Sequence, residues 1–193
     1  MKKILLIVLA LASSAALAQT PVRLRGTISS VEGDVMSIKA RNTGEPIKVK
    51  LAPDVGVVTA KATSLAELKP DAYVGVTAHK KGDQMVAVEV HTIAPQVPAG
   101  HTPWDLEPGS TMTNANIKGI AQAANGNELT LAYPGGSQKI VVPPGTPVVT
   151  QVPADRSALK PGEYVFIAGR KEADGSYTAL RVQASKDGVK PPQ

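Results

Sequence analysis

Cysteine is missing from all 193 residues. No disulfide can staple the fold and no thiolate can act as nucleophile or ligand, so stability has to come from buried apolar surface. Aromatic side chains are nearly as scarce, at one Trp, one Phe and four Tyr. Proteins that hold single-stranded nucleic acid stack bases on exposed aromatics over a basic groove, and this supply is too thin for that, so nucleic acid is not expected as a partner. A strong excess of charge is lacking too. The formal net charge of +5 falls to +3 once Lys2 and Lys3 of the leader are set aside, which calls for no polyanionic partner. After the first residues, no apolar run approaches the ~20 residues a helix needs to cross a bilayer.

What is present begins with MKKILLIVLALASSAALAQT. Two lysines, an apolar run and the small residues ending at Ala18 read as a secretory signal peptide over residues 1–18, cleaved after Ala18. The apolar part is too short for an anchor, and no lipid-acceptor cysteine follows it. The expected product is therefore a periplasmic or secreted protein with no stable membrane anchor after cleavage.

From Arg23 onward, Val, Ile and Thr are frequent and turn residues recur every 8 to 12 positions, the pattern of short alternating strands. Ile47, Val49 and Leu51 fall on one face of such a strand. The plan then repeats at a shift of about 92 residues, and self-similarity of this kind takes precedence over any local motif. Gly26 and Gly33 align with Gly119 and Gly126, and Met36 and Ile38 with Leu129 and Leu131. SLAELKPDAYVGV aligns with RSALKPGEYVFI, which matches Tyr73 to Tyr164 and places a short helix before both Pro70 and Pro161. Both tyrosines read as core support for the turns they follow. Each copy gives three strands, a short helix and two strands, and this order suits a small five-stranded barrel of the OB type. The expected fold is all-β, with two tandem OB-like barrels at 19–94 and 117–185. An ordered strap at 95–116 joins them, and a flexible tail at 186–193 follows.

The strap carries the lone Trp104, a residue seldom placed in a mere spacer. Around it lie the imidazoles and thioethers: His79, His91, His101, Met85 and Met112. Period-2 alternation puts Met85, Glu89 and His91 on the outer face of one strand, with Val86, Val88 and Val90 toward the core. Soft thioether and imidazole ligands favour Cu(I) where thiols are absent, and an indole face can shelter a cation. His91, His101 and Met112, with Trp104 nearby, are thus the candidate metal ligands, and copper the candidate cofactor if there is one. The residue types are similar to those of small periplasmic copper-binding proteins with an OB barrel, whose site joins a His, two Met and a Trp, although the spacing here differs. Ser110, Thr111 and Thr113 near His101 and Asp105 come with no nucleophile elbow. They read as groups satisfying an irregular backbone, so an enzyme is not expected.

Gly100-His101, Pro103-Trp104-Asp105-Leu106, the run PGSTMTNA at 108–115, Ile140-Val141-Val142-Pro143-Pro144 and Thr146-Pro147 together resemble a family of bacterial exported proteins of unknown function with two OB-like repeats. The resemblance spans both copies and the strap. Some members carry the label of metal transporter permease, which does not suit a chain without spanning segments after its leader. The resemblance bears on compartment and fold more than on activity, and the role expected of the chain is non-enzymatic binding or scaffolding in the cell envelope, toward an envelope protein or a small ligand. A copper-type carrier is the alternative.

Overall fold

The computed structural model describes residues 19–192, and the leader expected at 1–18 lies outside them. The described chain is all-β, a closed five-stranded barrel with further strands. In order the strands are β1 (Thr20–Glu32), β2 (Val35–Ala40), β3 (Pro46–Ala62), β4 (Tyr73–Lys81), β5 (Gln84–Thr92), β6 (Gly100–Pro103), β7 (Ser110–Ala123), β8 (Gly126–Tyr133), β9 (Gly136–Val142), β10 (Val148–Ala154), β11 (Tyr164–Lys171) and β12 (Tyr177–Ala184). The short helices are single 3₁₀ turns, Leu65–Glu67 and Arg156–Ala158, each directly before a Leu-Lys-Pro. In the first, the Glu67 carboxylate accepts from the Ser64 amide at 3.0 Å; in the second, Asp155 accepts from the Ser157 amide at 2.8 Å. The two turns thus match in kind and in place before their prolines.

The way the copies close differs from the expectation. The closed barrel is β1-β2-β3-β12-β11, where β11 returns to pair with β1, so three strands come from the first copy and two from the second. The last hairpin of the first copy, β4-β5, joins β7, β8 and β9 instead. That second circuit is completed by a brief parallel contact of Met85 with Ile140 and Val86 with Val141. Each copy has thus exchanged its final hairpin with the other. The two apolar cores follow the exchange. One packs Ile28, Met36, Ile38, Val49 and Leu51 against Val165, Ile167 and Val182, and the other packs Val74, Val76 and Val90 against Ile117, Leu129, Leu131 and Ile140. Residues 19–94 and 117–185 are repeats in sequence, yet neither range holds a core of its own. At the seam, the end of β3 pairs antiparallel with β10, from Ala62 with Val149 to Val57 with Ala154, and binds the two circuits edge to edge.

Register also corrects the glycine alignment. Ile28 pairs with Ile38 as Ile117 pairs with Leu131, and Thr27 with Tyr164 as Asn116 with Tyr73. Ile28 thus corresponds to Ile117, and Gly26 to Ala115. The β7-β8 hairpin runs two residue pairs further than β1-β2 before turning, which slides the linear alignment. β3 is continuous where its counterpart is split into β9 and β10. Pro143 and Pro144 cannot donate to a ladder, and a turn forms there with the Thr146 amide on the Pro143 carbonyl at 3.2 Å. The tail is not loose either. It turns at Gly188, and Pro191 and Pro192 are buried.

Candidate functional site

The exchange brings the same face of each circuit to the seam. On β4 the odd residues Gly75 and Thr77 point there, opposite Asn114 and Met112 of β7, with Val74, Val76 and Ala78 in the core behind them. On β5 a bulge resets the alternation, because Thr77 pairs with Glu89 while Ala78 pairs with Ala87, leaving Val88 as the extra residue. Beyond the bulge Val90 enters the core, and Glu89 and His91 turn to the seam, as expected. Before it the phase is reversed, so Ala87 and Met85 pack on the core side and Met85 does not share a face with His91. The other circuit repeats the bulge, where Ala168 pairs with Arg181 and Gly169 with Ala179. Arg181 and Gln183 are therefore the counterparts of Glu89 and His91.

Between these faces lies a cavity of about 390 Å³. His91, Met112 and Asn114 line it from one circuit, Arg23, Phe166, Arg181 and Gln183 from the other, with Gln151 of β10 between them. The strap forms a further wall through Val97, Pro98, Gly100, Thr102 and Trp104, and Pro192 of the tail touches it.

The strap is held in place at several points. β6 pairs with β7 from Gly100 with Asn114 to Pro103 with Thr111. The Tyr73 hydroxyl donates to the Val97 carbonyl at 2.7 Å and the Asn114 amide to the Pro98 carbonyl at 3.2 Å. Tyr73 thus fastens the strap, and burial raises its phenol above the ordinary value; Tyr164, its counterpart, sits beneath the Lys190 ammonium of the tail at 5.5 Å. The Ser110 hydroxyl donates within the loop between β6 and β7, reaching the Trp104 carbonyl at 2.9 Å and the Glu107 carbonyl at 2.7 Å. That loop carries Trp104 across the seam, where its ring stacks on Phe166 at 6.3 Å and beneath the Arg23 guanidinium at 4.2 Å. Asp105 accepts from Arg25 at 2.7 Å, and Arg25 in turn lies over Phe166 at 5.0 Å.

Three of the four residues singled out from sequence meet at this cavity: His91, Met112 and Trp104. His101 does not. Alternation along β6 sends Gly100 and Thr102 inward and His101 to the opposite side, where it stacks on Tyr133 at 6.3 Å and its Nδ1 lies 2.8 Å from the Thr113 hydroxyl. His79 is apart as well, with Nδ1 3.2 Å from Glu107. Among the described residues, no three of His, Cys, Asp and Glu converge as a metal group.

His91 is buried, with its ring directly over Gly75, where a Cβ would stand 2.4 Å from Nε2. Only glycine leaves room for the imidazole. Its Nδ1 has no hydrogen-bond partner, although the Glu89 carboxylate is 3.6 Å away. That distance is within ion-pair range, but burial pushes the imidazole down to about 3, with the Arg181 cation adding to the effect. The contact is thus between a carboxylate and a neutral ring. Glu89 accepts from the Thr77 hydroxyl at 3.0 Å, and that hydroxyl also lies 4.0 Å from the Met112 sulfur.

Sequence reading passed over the opposite wall. Arg181 donates through Nη2 to Gln151 Oε1 at 2.5 Å, and Gln151 Nε2 donates to Gln183 Oε1 at 3.0 Å, while the buried Arg181 Nε has no partner. The signal was available, since the repeat alignment sets Arg181 against Glu89 and Gln183 against His91.

Residues 118–183 match the model of a family described as a domain of unknown function, DUF5666. The matched span runs from within β7 into β12, and here its strands are divided between the two circuits. No curated protein and no solved structure matches the chain.

Proposed function

We propose that this chain is an exported, non-catalytic binding protein of the cell envelope, built from two OB-like units, whose ligand seat is the cavity at their seam. The observation that carries this reading is the cavity wall itself: both circuits and the strap contribute to it, and the only tryptophan of the chain is placed at its rim. Concave, mostly apolar sites with a few convergent polar groups are the usual form of small-molecule seats. Five strands in a closed circuit, with one parallel pairing among antiparallel ones, support the OB-like description. The leader pattern at 1–18 supports export.

Trp104 supplies the test. The low-molecular-weight fraction of a cell extract is expected to shift its emission saturably and reversibly and to raise the melting temperature. Thr102→Phe, which fills the cavity from the strap, should abolish both responses. An extract that changes neither quantity in the native protein would count against a ligand seat.

A second reading, a copper-type carrier, is favoured by one observation: His91, Met112 and Trp104 line one cavity. Cu(I) added under reducing conditions should then quench Trp104 at a fixed stoichiometry, and Met112→Leu should remove the effect while His101→Ala leaves it intact.

A further inference from the structure

Accepting the seam cavity as a ligand seat, we infer that its ligand is a small organic anion with an apolar body. Among the described residues, the charged ones lining the cavity are Arg23 and Arg181, and none of those lining it is a carboxylate. Asp105 lies outside the cavity on Arg25. Arg23 is half-exposed and stacked on Trp104, with Asp105 at 3.9 Å, which leaves Arg181 as the inner cation.

The polar wall has a direction. Arg181 donates to the carbonyl of Gln151, and Gln151 donates to the carbonyl of Gln183. Each of these oxygens already accepts one hydrogen bond inside this chain. A donor stands at each end, the unpartnered Nε of Arg181 and the amide NH₂ of Gln183. At the Arg181 end the unpartnered N–H calls for an acceptor, and most strongly for an ionised one, because charge-assisted hydrogen bonds are the stronger kind. A partly buried cation with an unpartnered N–H is unfavourable, and an arriving anion would relieve it. A cationic ligand would meet like charge.

The rest of the lining fits the body of such a molecule. Trp104, Phe166 and Met112 present aromatic and thioether surface to the same space. His91, buried and neutral, adds no charge to compete for the anion. The geometry therefore divides the cavity into a donor end at Arg181 and Gln183 and an apolar end toward the strap.

Three probes of one shape test this at fixed ionic strength by Trp104 emission: cyclohexylacetate, the neutral cyclohexylacetamide and the cationic cyclohexylethylamine. None of them absorbs where tryptophan does. The carboxylate should bind at least about tenfold more tightly than the amide, the worth of one hydrogen bond to a charged group, and the amine should not bind. Arg181→Gln should erase the preference for carboxylate over amide. Gln183→Glu, nearly isosteric, should also weaken the carboxylate by tenfold or more, with a melting curve verifying that each variant is folded. If amide and carboxylate bind equally, the anion assignment falls while the cavity stands as a ligand seat. If none of the three binds, both fall.

Discussion

His91 is where burial and titration meet. It is neutral in the native protein down to about pH 3, whereas an exposed imidazole in the unfolded chain takes up a proton near pH 6.5. Between these values the unfolded state binds the extra proton, so stability falls as pH drops from about 6.5 toward 3, with no contribution above that window. The slope from one group cannot exceed about 1.4 kcal/mol per pH unit. Glu89 and Arg181 face the same ring, and acid titration of Glu89 would act on any variant at position 91. The difference between proteins is therefore the informative quantity. His91→Gln, which copies the residue at the equivalent Gln183, should flatten the dependence of melting temperature on pH across that window. Identical slopes in the two proteins would show that the imidazole does not stay neutral. Gly75 belongs to the same unit, since Gly75→Ala would drive a methyl into the imidazole at 2.4 Å and should cost about 1–3 kcal/mol by overpacking.

At the scale of elements, the strap between β5 and β7 decides whether the seam stays closed. Its indole is half-buried between Arg23 and Phe166, so Trp104→Ala should destabilise by about 2 kcal/mol, less than the truncation of a fully buried ring. Denaturant unfolding measures it, and an unchanged midpoint would make the strap a passive connector. The elements themselves were largely legible in the sequence, because alternation of Val, Ile and Thr reports strands directly and Leu-Lys-Pro marks both 3₁₀ turns. Faces were harder to read. A single bulge at Val88 inverts the alternation along β5, and nothing in the local composition distinguishes that residue, so alternation alone puts Met85 on the wrong side and His91 on the right one. His101 shows the same limit from the other direction: being adjacent in sequence to Thr102 puts it on the opposite face of β6.

For the whole molecule, what the sequence could not show is which copy closes which circuit. The two copies carry matching edges, so β4 suits β1 and β7 alike, and the choice rests on the connection through residues 93–99 and the seam pairing of β3 with β10. A decisive measurement follows. A fragment of residues 19–94 lacks both partners of its final hairpin and the strands that close its first three, so alone it should be largely unstructured or associate into dimers. Mixing it with a fragment of residues 95–192 should restore native circular dichroism and Trp104 emission. A fragment that folds as a cooperative monomer would show that each copy is self-sufficient.

The interlaced hairpins also set a timetable. Strands β1 to β3 wait for β11 and β12, which follow the other described strands in the chain, so the first core closes only after every strand of the second has been made. Long-range pairings of this kind form slowly. Under the export proposed above, this delay would keep the first core open while the chain is threaded through the membrane.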